Sequence, residues 1–166
     1  REALLADARE AESRIAAGRG RPLEGIPLGV KDLEDAAGLV TSMGSIPWKD
    51  NVAERDSVQV ERLRRAGAIV VGKTNAPEFG HTAITKNLLF GASHNPWSLD
   101  HTPGGSSGGS SAAIAGGVVS LATASDGGGS VRLPASFTGC FGLKPSFGRI
   151  PNENELWVMD DTSVQG

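Results

Sequence analysis

Two serines in glycine-rich loops, Ser106 and Ser130, and a lysine far upstream, Lys31, are the residues whose types and settings could do chemistry together. From Pro103 to Ser146 the chain reads PGGSSGGSSAAIAGGVVSLATASDGGGSVRLPASFTGCFGLKPS. One Gly/Ser cluster surrounds Ser106 and a second ends at Ser130, joined by an apolar segment too short to be a domain. Glycine permits positive φ and lets a ligand come close to main-chain N–H groups. A serine in such a loop is exposed and ringed by donors, which suits nucleophilic catalysis. It stays a weak nucleophile until a base takes its proton. No histidine lies within these clusters, so a lysine is the candidate base, and it must be neutral. Burial or nearby positive charge makes a lysine neutral near pH 7. Lys31 follows the apolar segment IPLGV, which suits partial burial. Lys73, Lys86 and Lys144 compete for the role; Lys73 also follows a strand-like run, and Lys144 in GLKPS looks structural.

A histidine-based alternative exists. Gly104 to Gly108 (GGSSG) matches the G-x-S-x-G nucleophile elbow, with Ser106 as nucleophile and His81, His94 or His101 as base. An elbow needs a strand just before its serine, yet LDHTPGG stands there. Its histidine should follow the serine, yet all three precede it. A Walker A loop is excluded because Gly109 is followed by Ser110 instead of lysine. No His/Cys/carboxylate spacing suggests a metal site. Cys140, between Gly139 and Phe141, has no cationic or histidine neighbour in sequence and reads as a small buried hydrophobe. Trp48, Trp97 and Trp157 are scattered, as core or pocket lining would be.

The elements that must position these residues alternate. Arg1 to Ala17 has apolar residues at helical spacing, with Gly18 as a stop. Ile26 to Lys31 reads as a short strand, Asp56 to Arg65 as a helix closed by Gly67, and Ala68 to Gly72 as a buried strand. Pro77 suits the first position of a short helix. Ser107 to Gly117 reads as a small-residue helix packed closely on a sheet, and Val118 to Ala124 as another buried strand. Strands alternating with helices predict an α/β fold, a mixed β-sheet covered by helices on both faces. Sites in such sheets lie at strand C-termini, where Lys31 and Ser130 fall. Gly104 to Ser111 resembles a flexible linker by composition, but helix-like sequence follows at once.

Bulk properties narrow the class. The chain has 166 residues, 39% hydrophobic and 21% charged, enough for one domain with a core. Its formal net charge is −3, and no basic stripe calls for nucleic acid or an anionic membrane. The single cysteine forms no internal disulfide, which fits a cytoplasmic location. Ala112 to Ala124 is the longest weakly polar run and falls short of the ~20 residues a membrane span needs. No signal peptide is visible, although the chain starts without methionine.

GGSSGGSSAAIAGGVVSLATASDGGGSVRLPAS, together with PLGVKD, VVGKTNAPEFG and GLKPSFGRIP, resembles the signature of the amidase signature enzymes. The resemblance runs from about residue 25 to residue 150. It implies an amidohydrolase using Ser130 as nucleophile, Ser106 as a bridging serine preceded by a cis peptide, and Lys31 as base. A relay passes a proton from Ser130 to Ser106 and on to Lys31. The oxyanion would be held by the N–H groups of Gly127, Gly128, Gly129 and Ser130. Asp126 and Arg132 flank this loop, as an ion pair pinning it or as two unrelated charges. Ser107 is a relay member or a helix cap. Ser110 and Ser111 read as helix residues, and Ser125 as shaping the strand end. Gly127 stands where many relatives carry threonine, a change that removes no main-chain donor. Members of this family run to several hundred residues, so residues 1–166 read as the N-terminal portion of one amidase domain. The expected substrate is a small-molecule amide, without cofactor or metal, nucleic acid or membrane; a homodimer through parts outside this chain stays open. GLKPSFGRIP looks closer to stand-alone bacterial amidases than to the glutaminase component of a tRNA-dependent amidotransferase. A non-catalytic amidase-like module is the competing class; it would lack Lys31, Ser106 or Ser130, and all three are present.

Overall fold

The computed structural model describes residues 2–151 and 164–166; Trp157 lies outside them. Helix α1 (Glu2–Ala16) leads in and ends before Gly18 at positive φ. Strand β1 (Pro27–Lys31) is followed by a long loop, helix α2 (Val58–Arg65) and strand β2 (Ile69–Thr74). Short strands β3 (Lys86–Asn87) and β4 (Gly91–Ala92) pair antiparallel. Helix α3 (Gly108–Ala115), strand β5 (Leu121–Ala122), strand β6 (Ser125–Asp126) and helix α4 (Arg132–Thr138) follow. Strand β7 (Val164–Gln165) pairs antiparallel with β6.

The central sheet has the order β2-β1-β5, with both pairings parallel. This is an α/β arrangement, as the alternation of elements predicts. Strand alternation sorts the faces of β1. Leu28 and Val30 are fully buried with Val60 of α2, Val70 of β2, Ala36 and Ala68, backed by Leu23, Leu39, Leu63 and Leu121. Gly29 and Lys31 take the opposite parity and face the serine-rich helix α3, whose Ser110 hydroxyl meets Thr74 Oγ1 at 2.7 Å and the Thr123 carbonyl at 2.8 Å. The register slips between Leu28 and Gly29, leaving Val71 as an extra residue on β2.

Helix α2 starts as its sequence dictates. Ser57 accepts a hydrogen bond from the Val60 N–H at 3.2 Å, an N-cap that satisfies an otherwise orphaned donor. The three arginines of its last turn sit at the negative end of the helix dipole.

Four expectations differ. The strand from Val118 to Ala124 shrinks to Leu121–Ala122. Val118 and Val119 instead close helix α3: both main-chain N–H groups donate back to the Ala113 carbonyl, after Gly117 at φ +72°. This left-handed exit satisfies the helix's last carbonyls and leaves Val118 exposed. Pro77 is the cap before the turn Glu78–Gly80, not its first residue. Cys140 is half-buried, its Sγ 3.4 Å from Thr138 Oγ1, so it is not a core hydrophobe. Trp97 is 72% exposed and lines no core; its indole N–H donates to the Thr138 carbonyl at 2.6 Å.

Candidate active site

Parallel pairing brings the end of β1 beside the segment leaving β5, and Lys31 occupies that end. Its main-chain N–H donates to Thr123 Oγ1 at 3.0 Å. Its side chain runs into the space between the sheet and the N-terminus of α3, where the residue is 1% exposed. There Nζ donates to Ser106 Oγ at 2.7 Å, Ser107 Oγ at 2.8 Å and Ser125 Oγ at 2.8 Å. Ser106 and Ser107 are each 2% exposed. Burial pushes the Lys31 amine down from its ordinary 10.5 to about 7, while the carboxyls of Glu34 and Asp126 act to raise it.

The Ser106 loop is shaped by close backbone contact. The peptide between Gly105 and Ser106 is cis. A Cβ at Gly105 would lie 2.9 Å from the backbone of Ala83 and Ile84, so only glycine fits. Ser107 precedes α3 but makes no side-chain cap bond; its hydroxyl serves Lys31 and reaches the Ser125 carbonyl at 3.3 Å.

The loop Gly127–Ser130 is organised by Asp126, whose side chain is wholly buried. Asp126 accepts from the N–H groups of Gly129 at 2.7 Å, Val131 at 3.1 Å and Arg132 at 3.3 Å. Its two oxygens also take a two-pronged hydrogen bond from the Arg132 guanidinium, at 2.9 Å each. Burial works to raise the Asp126 carboxyl, but Arg132 and the three N–H groups outweigh it and hold it at about 2. The four expected oxyanion donors are therefore not equivalent. The Gly129 N–H points into the loop at Asp126, whereas those of Gly127, Gly128 and Ser130 have no partner among the described residues. The Ser107 N–H donates to the Ser130 carbonyl at 3.2 Å and ties this loop to the Ser106 loop.

The rival groups sit elsewhere. Lys73 Nζ bonds the Glu34 carbonyl and Thr41 Oγ1, Lys86 is exposed, and Lys144 bonds the adjacent Pro145 carbonyl. His94 and His101 make hydrogen bonds within their own exposed loop, and His81 stacks edge-on to Phe79. Ser125 is the site residue that sequence reasoning undervalued; its place just before the loop DGGGS was the available signal. Among the described residues no cluster of three or more His, Cys, Asp or Glu is placed to hold a metal, and no helix is long and apolar enough to cross a membrane.

Comparison with known proteins places the chain in a family. "Putative amidase AmiB2" of Mycobacterium tuberculosis is 48% identical over 97% of this chain and 35% of its own length. The A-type subunit of the glutamyl-tRNA(Gln) amidotransferase of Ralstonia pickettii is 48% identical over 90% of this chain and 30% of its own. Among solved structures, a bacterial aryl acylamidase of the amidase signature enzymes superposes with a TM-score of 0.89 at 33% identity, covering 99% of this chain and 35% of that one. The chain thus spans about a third of the length of the curated relatives it matches. The Amidase family model matches residues 1–166 throughout, and the chain belongs to the amidase family, the amidase signature enzymes.

Proposed function

We propose that this chain carries the reacting groups of an amidohydrolase that cleaves a carboxylic amide C–N bond through an acyl-enzyme on Ser130. The supporting observation is the buried Lys31 amine, 2.7 Å from Ser106 Oγ, which burial brings down to about 7 so that it can exchange a proton near neutral pH. An ammonium donates three hydrogen bonds; a neutral amine donates two and accepts one. Three hydroxyls satisfy either state, because a hydroxyl rotates to donate or accept. The Ser107 proton has its own acceptor in the Ser125 carbonyl, which leaves the Ser106 and Ser125 hydroxyls free to turn a proton toward Nζ, at 2.7 and 2.8 Å. That is what a relay needs.

In this reading Ser130 gives its proton to Ser106 as Ser106 gives one to Lys31, and Ser130 Oγ attacks the amide carbonyl. The N–H groups of Gly127, Gly128 and Ser130 hold the oxyanion, while Gly129 keeps the loop in shape through Asp126. Lys31 returns the proton through Ser106 to the leaving amine. Water then attacks the acyl-enzyme along the same path. Asp126 and Arg132 support the loop, and Ser107 and Ser125 support the base. We take residues 1–166 as the N-terminal portion of a single amidase domain with its signature core over 25–150. The substrate would be a small-molecule amide met in the cytoplasm.

The second reading, the glutaminase component of a tRNA-dependent amidotransferase, draws on the relative in Ralstonia pickettii. Labelling the full-length protein with a fluorophosphonate, followed by peptide mapping, tests the chemistry. An adduct on Ser130 that disappears with Lys31→Ala supports it; an adduct on Ser106, or none in folded protein, sinks it. Hydrolysis of simple amides by that protein without a partner favours the stand-alone enzyme, and dependence on a partner favours the amidotransferase component.

A further inference from the structure

Glu34 is a buried acid beside the site that the reaction outlined above leaves unused. It lies one turn beyond Lys31, and its main-chain N–H donates to the Lys31 carbonyl at 2.9 Å. The residue is 3% exposed. Its Oε1 accepts from Ser57 Oγ at 2.7 Å, while the buried Oε2 has no hydrogen-bond partner among the described residues. A buried carboxylate is costly unless positive charge lies near.

The charged groups that act on it are Lys31 on β1 and Lys73 on β2; Asp126 on the glycine loop also acts on Lys31, and Asp32 and Asp35 also act on Lys73. Most already have their own partners. Asp126 is matched by Arg132. Asp32 accepts from the Ser42 hydroxyl and from the N–H groups of Ser42 and Gly44. Lys73 Nζ bonds the main-chain carbonyl of Glu34 and Thr41, and lies 3.9 Å from Asp32. Lys31 meets only hydroxyls. Thr123 connects Lys31 to Glu34: its Oγ1 accepts the Lys31 N–H at 3.0 Å, and its side chain lies against the Glu34 carboxyl. Burial raises the Glu34 carboxyl, against the hydroxyls of Thr123 and Ser57 and the two lysines.

We propose that Glu34 is a positioning residue for the reaction proposed above, on which this inference rests: its buried carboxylate gives the Lys31 ammonium a negative neighbour while that amine holds the proton taken from the serines. It would stand to Lys31 as an orienting acid stands to a catalytic base. No bond forms or breaks at Glu34; the proton moves from Ser130 through Ser106 to Lys31 and back to the leaving amine.

The test is an NMR titration of Lys31 in the full-length protein carrying 13Cε-labelled lysine, with Lys31→Arg identifying the signal. In Glu34→Gln the midpoint is expected to fall by roughly one pH unit, and the acid limb of kcat/KM with it. A purely structural role changes stability and leaves both in place. An unmoved midpoint in folded Glu34→Gln overturns the proposal. Should that variant fail to fold, Ser57→Ala decides, since it removes the donor to Oε1 and favours the protonated acid. A smaller downward movement is then expected, and no movement overturns the proposal. The midpoint is read without turnover, so an absent Ser130 adduct counts against the proposed reaction and not against Glu34.

Discussion

The two ends of the proposed relay are built in opposite ways. At the Lys31 end, the amine and the Ser106 and Ser107 side chains lie out of water, and the amine is surrounded by three hydroxyl partners. At the Ser130 end, Gly127 and Gly128 are exposed, and three main-chain donors point at no protein group among the described residues. In the proposed reaction the base end would be finished before substrate arrives, and the nucleophile end would be left for the substrate to fill. A dry base has a proton affinity set by its surroundings, and open donors are available for charge that appears only during reaction.

Breaking the open end should cost the most. Ser130→Ala is expected to remove turnover, on the order of 10^4-fold or more, with an unchanged circular dichroism spectrum. Breaking the dry end comes next. Lys31→Ala should lose nearly as much activity and regain part of it at high pH. Ser106→Ala should cost several orders of magnitude; near-normal amide hydrolysis by Ser106→Ala would remove the relay. Lys31 must be neutral to accept a proton, so kcat/KM of the native enzyme should rise with pH through about 7.

Stability separates the two ends as well. Lys31 has a folded value of about 7 and an ordinary value of 10.5. Between these the unfolded chain binds more protons, so stability contributed by this site rises with pH across that window and is lowest below it. Lys31→Met should therefore stabilise the fold at neutral pH while destroying activity. Asp126 follows the same sign in a lower window, so its contribution is already complete at neutral pH. Its folded value of about 2 against an ordinary 3.8 gives stability that is present above about pH 4 and lost as pH falls toward 2. Asp126→Ala should cost about 2–3 kcal/mol in denaturant unfolding at pH 7 and weaken the acid dependence. The smallest effect is expected from Ser125→Ala, which removes one of three partners of Nζ. It should lower kcat about tenfold, the equivalent of one hydrogen bond of ~1.4 kcal/mol.

Much of this was legible in the residues. PLGVK announces a short strand ending in a lysine, and Gly67 marks the end of α2. The α/β alternation follows from apolar runs and glycine stops. What failed to show was set by local backbone geometry in two places and by a contact distant in sequence in a third. VVSLATA looks like a strand because its residues are apolar, yet Gly117 takes the left-handed exit that turns Val118 and Val119 into the end of a helix. Composition cannot distinguish these outcomes, since both suit valine. Ser125 looks like any strand-end serine until parallel pairing sets it beside Lys31. The N–H of Gly129 is a similar case. Four consecutive N–H groups look equivalent in sequence, but the buried Asp126 claims the third.

The parallel β1–β5 pairing also bears on how the molecule is made. The contacts of Lys31 Nζ join residues 75, 76 and 94 positions apart in the chain. Such long closures carry a large entropy cost and are slow to form, since two crossovers must be laid down first. The amine of Lys31 therefore stays in water, charged and inert, until nearly the whole segment has been synthesised and packed. A nascent or partly opened chain holds its reactive serines without a base. In the proposed reaction the base and the serines therefore meet only when the last crossover closes, and reactivity toward a serine-directed probe during refolding would time that closure.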